Sequence, residues 1–273
     1  MMKKILFTDL DGTLLADDKR IPEINRRAIE RMRGEGHKIV LTSGRPTISV
    51  LDQAKKLSLN TDGCYVIGFN GAEIADAKTG ERLYRNAFES AFLGEIFRHA
   101  HAAGLHIQAF DDERVVAERD TEALRRYCKT IGMTSALTED VTEYFQTAGL
   151  TSSKMLVIEW DDTGKLEAFR TRMLAEYGEK MDMVYSSPYY LETIPKGISK
   201  GSAVRMLCQI LGVPAEVSIG AGDEMNDLPL IQTAHIGCAM ANGVEEVKAA
   251  ADYITQADNN EGGIAEIIEK FIL

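Results

Sequence analysis

The sequence predicts an α/β fold, a doubly wound Rossmann-like parallel sheet with an inserted α+β module. Strand-like apolar runs alternate with helical patterns at both ends of the chain. This alternation is lost between about residues 84 and 190, where strands and helices follow in mixed order. The chain of 273 residues also exceeds the usual size of one domain. We therefore predict a core from residues 1–83 and 191–273, and a module from residues 84–190.

The first segment of the core begins with a buried strand. The apolar run at residues 5–7 is typical of a strand inside a parallel sheet. Pro22 favours a helix start. Ile24, Ala28 and Met32 would form the apolar stripe of that helix. The other elements predicted here are a strand at 38–42, a helix buried through Ile48, Leu51 and Leu57, a strand at 65–67, and a turn at Asn70 and Gly71.

Helices and hairpin strands are predicted for the module, and the first pattern returns after it. Within the module we expect a helix at 88–103, hairpin strands at 105–110 and 114–117, a strand at 154–158 and a helix at 165–177. From Ser199 onward we expect a helix to residue 211, strands at 217–219, 236–239 and 253–254, and a closing helix at 263–271.

The composition argues against several classes of function. The formal net charge of −11 speaks against nucleic-acid and anionic-membrane partners, because these require clustered Lys and Arg. No apolar run approaches the ~20 residues of a membrane span, and Asp9 comes too early for a signal peptide. The four cysteines lie far apart without a CxxC pair and are expected to be reduced thiols. We therefore expect a cytoplasmic protein, and no obligate protein partner is evident.

Two carboxylates follow the first strand at a spacing of two. In an extended chain Asp9 and Asp11 would project into the same space, and Gly12 would let the backbone turn. Carboxylates held that close repel, so one would take up a proton unless a cation lies between them. A calcium loop is excluded, because its Gly and Glu positions, counted from Asp9, are Leu14 and Arg20. Since Mg²⁺ is commonly held by one or two carboxylates and phosphate oxygens, the pair predicts a magnesium site for a phosphate.

Further polar groups are predicted at the same edge of the sheet. Ligands of open α/β sheets bind beyond the carboxyl ends of the strands. The second strand is followed by Ser43 and Gly44, and Lys200 lies at a helix start. The strand at 217–219 is followed by Gly220-Ala221-Gly222-Asp223-Glu224-Met225-Asn226-Asp227. We therefore expect these groups to join Asp9 and Asp11 in one site.

Each of these groups, taken alone, has an ordinary structural explanation. The acids at 223, 224 and 227 could simply complement a helix dipole. Most lysines are solvated, and Lys196 is a nearby competitor for the role of Lys200. The glycines at 220 and 222 lack the third glycine of a dinucleotide fingerprint, and the acids beside them would repel a pyrophosphate. It is the combination at successive strand ends that indicates a shared site.

These residues resemble the four signatures of the haloacid dehalogenase-like hydrolase superfamily. The resemblance rests on residues 9–15, on Ser43-Gly44-Arg45, on Lys200, and on residues 222–227. It covers the whole chain and is closest in kind to the Cof-type branch, which includes sugar-phosphate phosphatases. In that branch the inserted module is a large cap domain, so the resemblance implies that residues 84–190 select the substrate.

The resemblance implies roles in catalysis and metal binding. Asp9 would attack phosphorus and form an aspartyl-phosphate intermediate. Asp11 would protonate the leaving group and then activate water. Mg²⁺ would be held by Asp9, the backbone carbonyl of Asp11, and Asp223.

The resemblance also implies a set of groups around the phosphoryl oxygens. Lys200 would place a fixed positive charge against Asp9 and the phosphate. Asp227 would orient a metal-bound water or Lys200. No role is implied for Glu224 or Arg45. The donors to the phosphoryl oxygens would be the Ser43 side chain, the Asn226 side chain, and the backbone N–H groups of Leu10 and Gly44.

The implied function is a magnesium-dependent phosphatase of small phosphorylated metabolites, with sugar phosphates as the expected substrates. One alternative is a phosphomutase or phosphotransferase of sugar phosphates, which uses the same nucleophile but a different acceptor. Release of inorganic phosphate would separate the two. A second alternative is a non-catalytic phosphometabolite-binding protein, but the intact Asp9 and Asp11 argue against it.

Overall fold

The computed structural model describes residues 2–273, which form two compact units. The first unit contains the described residues through Tyr84 together with Ile198–Leu273, and the second contains Arg85–Gly197. Both units combine helices with a sheet. The α/β fold class predicted from the sequence is therefore confirmed.

The elements follow one another in three segments. The first segment contains β1 (Ile5–Asp9), α1 (Glu23–Gly34), β2 (Lys38–Thr42), α2 (Thr47–Lys56), β3 (Cys64–Gly68), β4 (Glu73–Asp76) and β5 (Arg82–Arg85). The second unit contains α3 (Ser90–Ala102), β6 (His106–Phe110), β7 (Arg114–Ala117), α4 (Glu122–Ile131), β8 (Thr134–Leu137), α5 (Val141–Ala148), β9 (Met155–Ile158), α6 (Thr163–Tyr177), β10 (Met181–Ser187) and β11 (Tyr190–Pro195). The last segment contains α7 (Lys200–Ile210), β12 (Ser218–Gly222), α8 (Leu228–Thr233), β13 (Ile236–Ala239), α9 (Glu245–Ala250), β14 (Tyr253–Ile254) and α10 (Gly263–Phe271).

The sheet of the first unit has its first strand near the middle. Its order is β14-β13-β12-β1-β2-β3-β4-β5, and the pairs from β14 through β3 are parallel. The next pair, β3 with β4, is antiparallel. Strands β1, β2 and β12 are mainly apolar and almost wholly buried, as strands covered on both faces should be. Their carboxyl ends therefore meet at one edge.

The apolar face of α1 differs from the predicted stripe. Ile24 is 56% exposed, whereas Asn25, Ala28 and Ile29 are buried. The physical reason is a cap formed far along the chain, because the Asn25 Oδ1 accepts a hydrogen bond from the Ala265 N–H of α10 at 2.8 Å. The polar Asn25 thus lies on the buried face of α1, where the apolar pattern had placed Ile24.

The predicted buried side of α2 needs a similar correction. Ile48 is 39% exposed, and the residues that face the core are Thr47, Val50 and Ala54. Leu51 is only half-buried, while Leu57 is buried just after the helix ends. One physical reason is that the Thr47 hydroxyl donates a hydrogen bond to the Glu73 carboxylate of β4 at 2.7 Å, which holds this polar residue on the buried face.

The second unit contains a six-stranded sheet in the order β10-β11-β9-β6-β7-β8. All its pairs are antiparallel except β7 with β8. Helices α3, α5 and α6 share one apolar core with it, which includes Phe97, Phe145 and Phe169. This unit extends to Gly197, beyond the predicted end at residue 190, because β11 pairs with both β10 and β9.

Two further features bear on the composition argument. Within residues 2–273, no helix combines the length and apolar character needed to cross a membrane. The four cysteines at 64, 128, 208 and 238 are free thiols. Burial raises the pKa of the Cys238 thiol to about 12, so this thiol stays protonated and unreactive at neutral pH.

Candidate active site

Three strand ends bring the predicted site residues to one edge of the first unit. Asp9 is the last residue of β1 and lies opposite Thr42 of β2, so Ser43 follows beside it. On the other side β12 runs parallel to β1 with Thr8 opposite Ala221, which places Asp223 just beyond the same edge. Asp9, Ser43 and Asp223 are all buried.

Lys200 lies between two of the carboxylates. Its Nζ is 2.5 Å from the Asp9 Oδ1 and 2.5 Å from the Asp227 Oδ1, and its side chain is fully buried. Burial alone would lower the pKa of Lys200, but attraction to Asp227 and Asp9 raises it above its ordinary value. Lys200 is therefore a fixed cation. The competing Lys196 belongs to the second unit, where it pairs with Asp182 at 2.8 Å.

Asp9, Asp223 and Asp227 form a buried acidic cluster. Each offers one carboxylate oxygen, and these oxygens lie within 4.8 Å of one another. Burial raises the pKa of Asp9, and repulsion from Asp227 and Asp223 adds to this effect against the opposing attraction of Lys200. Burial and Asp227 raise the pKa of Asp223 to about 6, although a bond from Thr13 opposes them. One ammonium thus does not balance three carboxylates.

The three carboxylates differ in how far other bonds occupy them. Asp227 binds Lys200 through Oδ1. Its Oδ2 accepts hydrogen bonds from the backbone N–H groups of Asp223 and Glu224, each at 3.1 Å. Asp223 receives the Thr13 hydroxyl on Oδ1 at 2.6 Å. Asp9 binds Lys200 through Oδ1. The geometry suits Asp227 to holding Lys200 and the segment after β12, and suits Asp9 and Asp223 to binding a ligand.

The cluster fits a magnesium ion. Its donors are carboxylate oxygens, the hard ligands that Mg²⁺ prefers, and magnesium is usually held by one or two carboxylates plus substrate phosphate. A cation beside Asp9 and Asp223 would offset the burial and the repulsion that raise their pKa values. Gly12, with φ of +79°, lets the Asp223 carboxylate lie against the backbone after Asp9, because a Cβ on Gly12 would overlap that carboxylate.

Asp11 has different partners from Asp9. It lies beyond the end of β1, and its carboxylate binds Arg45 at 2.6 Å and Lys19 at 2.9 Å. The predicted alternation of side chains along an extended strand therefore does not apply to it. Burial alone would raise the pKa of Asp11, but the bonds from Lys19 and Arg45 lower it below its ordinary value. Asp11 is held as a carboxylate, with its side chain outside the acidic cluster.

The residues predicted to bind phosphoryl oxygens lie on the loops around this cluster. Ser43 is buried, and its Oγ accepts the Arg45 N–H at 3.2 Å. Gly44 lies against the Asn70 amide, because a Cβ added at Gly44 would lie only 3.1 Å from the Asn70 Oδ1. Asn226 lies in the short turn Met225–Asp227 and donates to Asn70 at 3.4 Å. Leu10 directly follows Asp9, with its side chain in the core of the first unit.

Several residues of the site had no role in the sequence analysis. Thr13 lies within the first signature, which predicts no role for it, and its hydroxyl donates a hydrogen bond to Asp223. Asn242 donates to the Gly12 carbonyl at 2.8 Å and steadies the loop after Asp9. The sequence pattern predicts Asn70 only as part of a turn. Glu224, left without a role, caps the Met225–Asp227 turn.

Comparison with known proteins agrees on one family. The family described as haloacid dehalogenase-like hydrolase matches residues 6–268. The Bacillus subtilis protein YxeH is 32% identical over 100% of this chain and 99% of its own length. The 5-amino-6-(5-phospho-D-ribitylamino)uracil phosphatase YcsE of Bacillus subtilis is 28% identical over 99% of this chain and 96% of its own length. The crystal structure of a haloacid dehalogenase-like hydrolase from Bacteroides thetaiotaomicron has a TM-score of 0.86 at 32% identity, covering 98% of this chain and 99% of that one.

Proposed function

The chain belongs to the haloacid dehalogenase-like hydrolases, and from this premise we propose a magnesium-dependent phosphatase that hydrolyses phosphate monoesters of small metabolites through a phosphorylated Asp9. The observation that carries the proposal is the buried cluster of Asp9, Asp223 and Asp227 around Lys200. A phosphate dianion resists an anionic nucleophile, so such a site must concentrate positive charge where the ester binds.

Asp9 is the proposed nucleophile. Its Oδ1 is bound by Lys200, and the attack on phosphorus would use the other carboxylate oxygen. The P–O bond to the leaving group breaks as the Asp9–phosphorus bond forms. Water then attacks phosphorus of the acyl phosphate, which frees Asp9 and releases inorganic phosphate. Lys200 stays charged throughout and stabilises the growing negative charge on the phosphoryl oxygens.

Asp11 is the proposed proton carrier. It must donate a proton to the leaving oxygen in the first step and take one from water in the second. In the structure it is a carboxylate held by Arg45 and Lys19, which is the form needed for the second step. Substrate entry must therefore loosen these ion pairs before Asp11 can act as an acid. Both are partly exposed, so loosening them costs little.

Asp9 and Asp223, with the Asp11 backbone carbonyl, are the proposed magnesium ligands. Bound magnesium would neutralise phosphoryl charge and align the ester for attack. Thr13 holds Asp223 through a 2.6 Å hydrogen bond, and Asp227 holds the backbone N–H of Asp223 at 3.1 Å. Loss of such supporting bonds typically costs 10–100-fold in metal affinity or activity.

Replacing Thr13 by Val tests this arrangement, since the two side chains have nearly the same shape. We expect the magnesium concentration for half-maximal activity to rise roughly 10–100-fold, while activity at saturating magnesium is largely retained. Thr193→Val is a matched control, because Thr193 is also buried but lies in the second unit, where its hydroxyl has no hydrogen-bond partner among the described residues. An unchanged magnesium requirement in Thr13→Val would contradict the role given to the Thr13 hydroxyl, which is to hold Asp223 in place as a ligand.

Phosphate esters of sugars or sugar alcohols are the proposed substrates. YcsE, the 28% identical relative, is named for a substrate whose phosphate is carried by a ribityl chain. The net charge of −11 also favours small substrates that reach the local cations over large polyanions. We assign the choice of leaving group to the second unit, because the signature residues all belong to the first. The cytoplasm is the proposed location.

The direct test is release of inorganic phosphate from a panel of sugar, sugar-alcohol and nucleotide phosphates. We expect release in the presence of magnesium and its loss in excess chelator. Full turnover without any divalent ion would overturn the metal site, and transfer to a second sugar hydroxyl without phosphate release would identify a phosphomutase.

The same panel should be run on a chimera that carries the corresponding module of YcsE. An unchanged substrate ranking in the folded chimera would refute the role given to the second unit.

A further inference from the structure

The turn between β3 and β4 has an uncommon backbone. Phe69, Asn70 and Gly71 are three consecutive residues with positive φ, at +50°, +55° and +112°. Gly and Asn adopt this region readily, but it is rare for a bulky residue such as Phe. All three residues are buried. A simple Asn-Gly turn does not require a strained Phe before it, so other contacts must hold this conformation in place.

Those contacts go to the loop after β2 rather than across the hairpin. The Phe69 N–H donates to the Arg45 carbonyl at 2.9 Å, and the Asn70 N–H donates to the Ser43 carbonyl at 3.0 Å. The turn therefore fixes the backbone of Ser43-Gly44-Arg45 from both sides of Gly44. Loop conformations held by such pairs of backbone bonds leave little freedom to the residues between them.

The same turn also touches the other two loops of the site. The Asn70 Oδ1 accepts a hydrogen bond from the Asn226 Nδ2 at 3.4 Å. Gly71 approaches the start of α7 closely. A Cβ on Gly71 would overlap the Ser199 carbonyl and lie 3.3 Å from the backbone nitrogen of Lys200. One short turn thus joins the segments that carry Gly44, Asn226 and Lys200.

We propose that Asn70 is a positioning residue, whose side chain aligns Gly44 and Asn226 so that both can donate to one phosphoryl group. The proposal rests on the proposed function, because it assumes that these two residues bind the phosphate. Asn70 lies against Gly44 on one side and accepts from Asn226 on the other. The left-handed backbone at Phe69 and Asn70 is what delivers the amide to this position.

Asn70→Gly separates this role from that of an ordinary turn. Glycine adopts a positive φ at no steric cost, so the variant should keep its melting temperature or raise it. If Asn70 serves only the turn, the variant should be fully active. If Asn70 aligns the donors, KM for the ester and Ki for inorganic phosphate should both rise roughly 10-fold, with a smaller change in kcat.

Two companion variants make the comparison sharper. Asn70→Ala removes the amide and keeps an unfavourable backbone, so we expect the same KM as in Asn70→Gly but a melting temperature about 2–4 °C lower. Ser58→Gly is the matched control, because Ser58 is exposed after α2 with φ of +60° and lies outside the site. It should leave both KM and Ki unchanged.

Phosphate affinity should also be measured by calorimetry, with inorganic phosphate and magnesium and no turnover. A tenfold weaker affinity in Asn70→Gly than in wild type, with an intact melting curve, supports the proposal. Wild-type affinity and KM in Asn70→Gly would overturn it, as would a raised KM in the Ala variant alone. Failure of the wild type to hydrolyse any ester would instead count against the proposed function.

Discussion

Replacing Asp9 by Asn should abolish phosphate release, even from esters whose leaving group needs no proton. An amide oxygen is a poor nucleophile toward phosphorus, so no covalent intermediate can form. Lys200 and Asp227 would remain paired at 2.5 Å, so the surrounding cation stays in place. The measurement is the rate of release from an aryl phosphate by wild type and variant at saturating magnesium. Residual turnover within a few-fold of wild type would exclude Asp9 as the nucleophile.

Loss of activity in this variant should not come from loss of the fold. The folded-state pKa of Asp9 is raised by burial and by its acidic neighbours. A carboxylate with a raised pKa lowers the stability of the folded protein at pH values above its unfolded pKa, because ionisation is easier in the unfolded chain. Asn removes that charge from the cluster. We therefore expect a melting temperature equal to or above that of wild type near neutral pH without magnesium.

Replacing Asp11 by Asn should slow hydrolysis of alkyl phosphates by ~10²–10⁴-fold, the usual contribution of a positioned proton carrier. Asn can neither protonate the leaving oxygen nor accept a proton from water. For an aryl phosphate, whose leaving group needs no proton, the first step should remain fast. The second step should still be slow, since no base remains to activate water. The measurement is the rate of leaving-group release in the first turnover, for alkyl and for aryl phosphates, in the variant compared with wild type.

The fold should tolerate this second substitution as well. The Asp11 side chain is 39% exposed, and its partners Arg45 and Lys19 are 35% and 63% exposed. Ion pairs that exposed contribute about 0–1 kcal/mol to stability. Lys19→Met is a useful control, because it removes one of these ion pairs and leaves the carboxylate in place. A loss in Lys19→Met as large as in Asp11→Asn would indicate that the ion pair, and not proton transfer, is what matters.

Much of the catalytic unit follows from local patterns in the sequence. Continuous apolar runs predicted the buried parallel strands, and parallel strands carry their carboxyl ends to one edge. Asp9, Ser43 and Asp223 meet for that reason, and no side-chain detail was needed to foresee it. Lys200 was distinguished from Lys196 only by the family resemblance, since spacing alone gives no preference between the two.

Several of the unforeseen features depend on contacts between residues distant in the sequence. Asn25 caps α10, 240 positions away, and this displaced Ile24 from the core face. Thr13 binds Asp223 across 210 positions. The left-handed Phe69 and Asn70 are held by the loop after β2. Propensity and periodicity report only neighbouring residues, so none of these contacts leaves a local signal. The second unit also extends past residue 190, the predicted end of the module, because β11 pairs with β9 and β10.

Rapid-quench labelling of the Asp11→Asn variant tests the central claim, that Asp9 becomes phosphorylated, most directly. The variant is mixed with an aryl phosphate and magnesium, quenched within one turnover, and analysed for leaving-group release and for the phosphorylated residue. A burst of leaving group equal to the enzyme concentration, with phosphate attached to Asp9, is the predicted result. The double variant Asp9→Asn, Asp11→Asn should give neither burst nor label. A burst and a labelled residue in that double variant would place the nucleophile elsewhere and contradict the account.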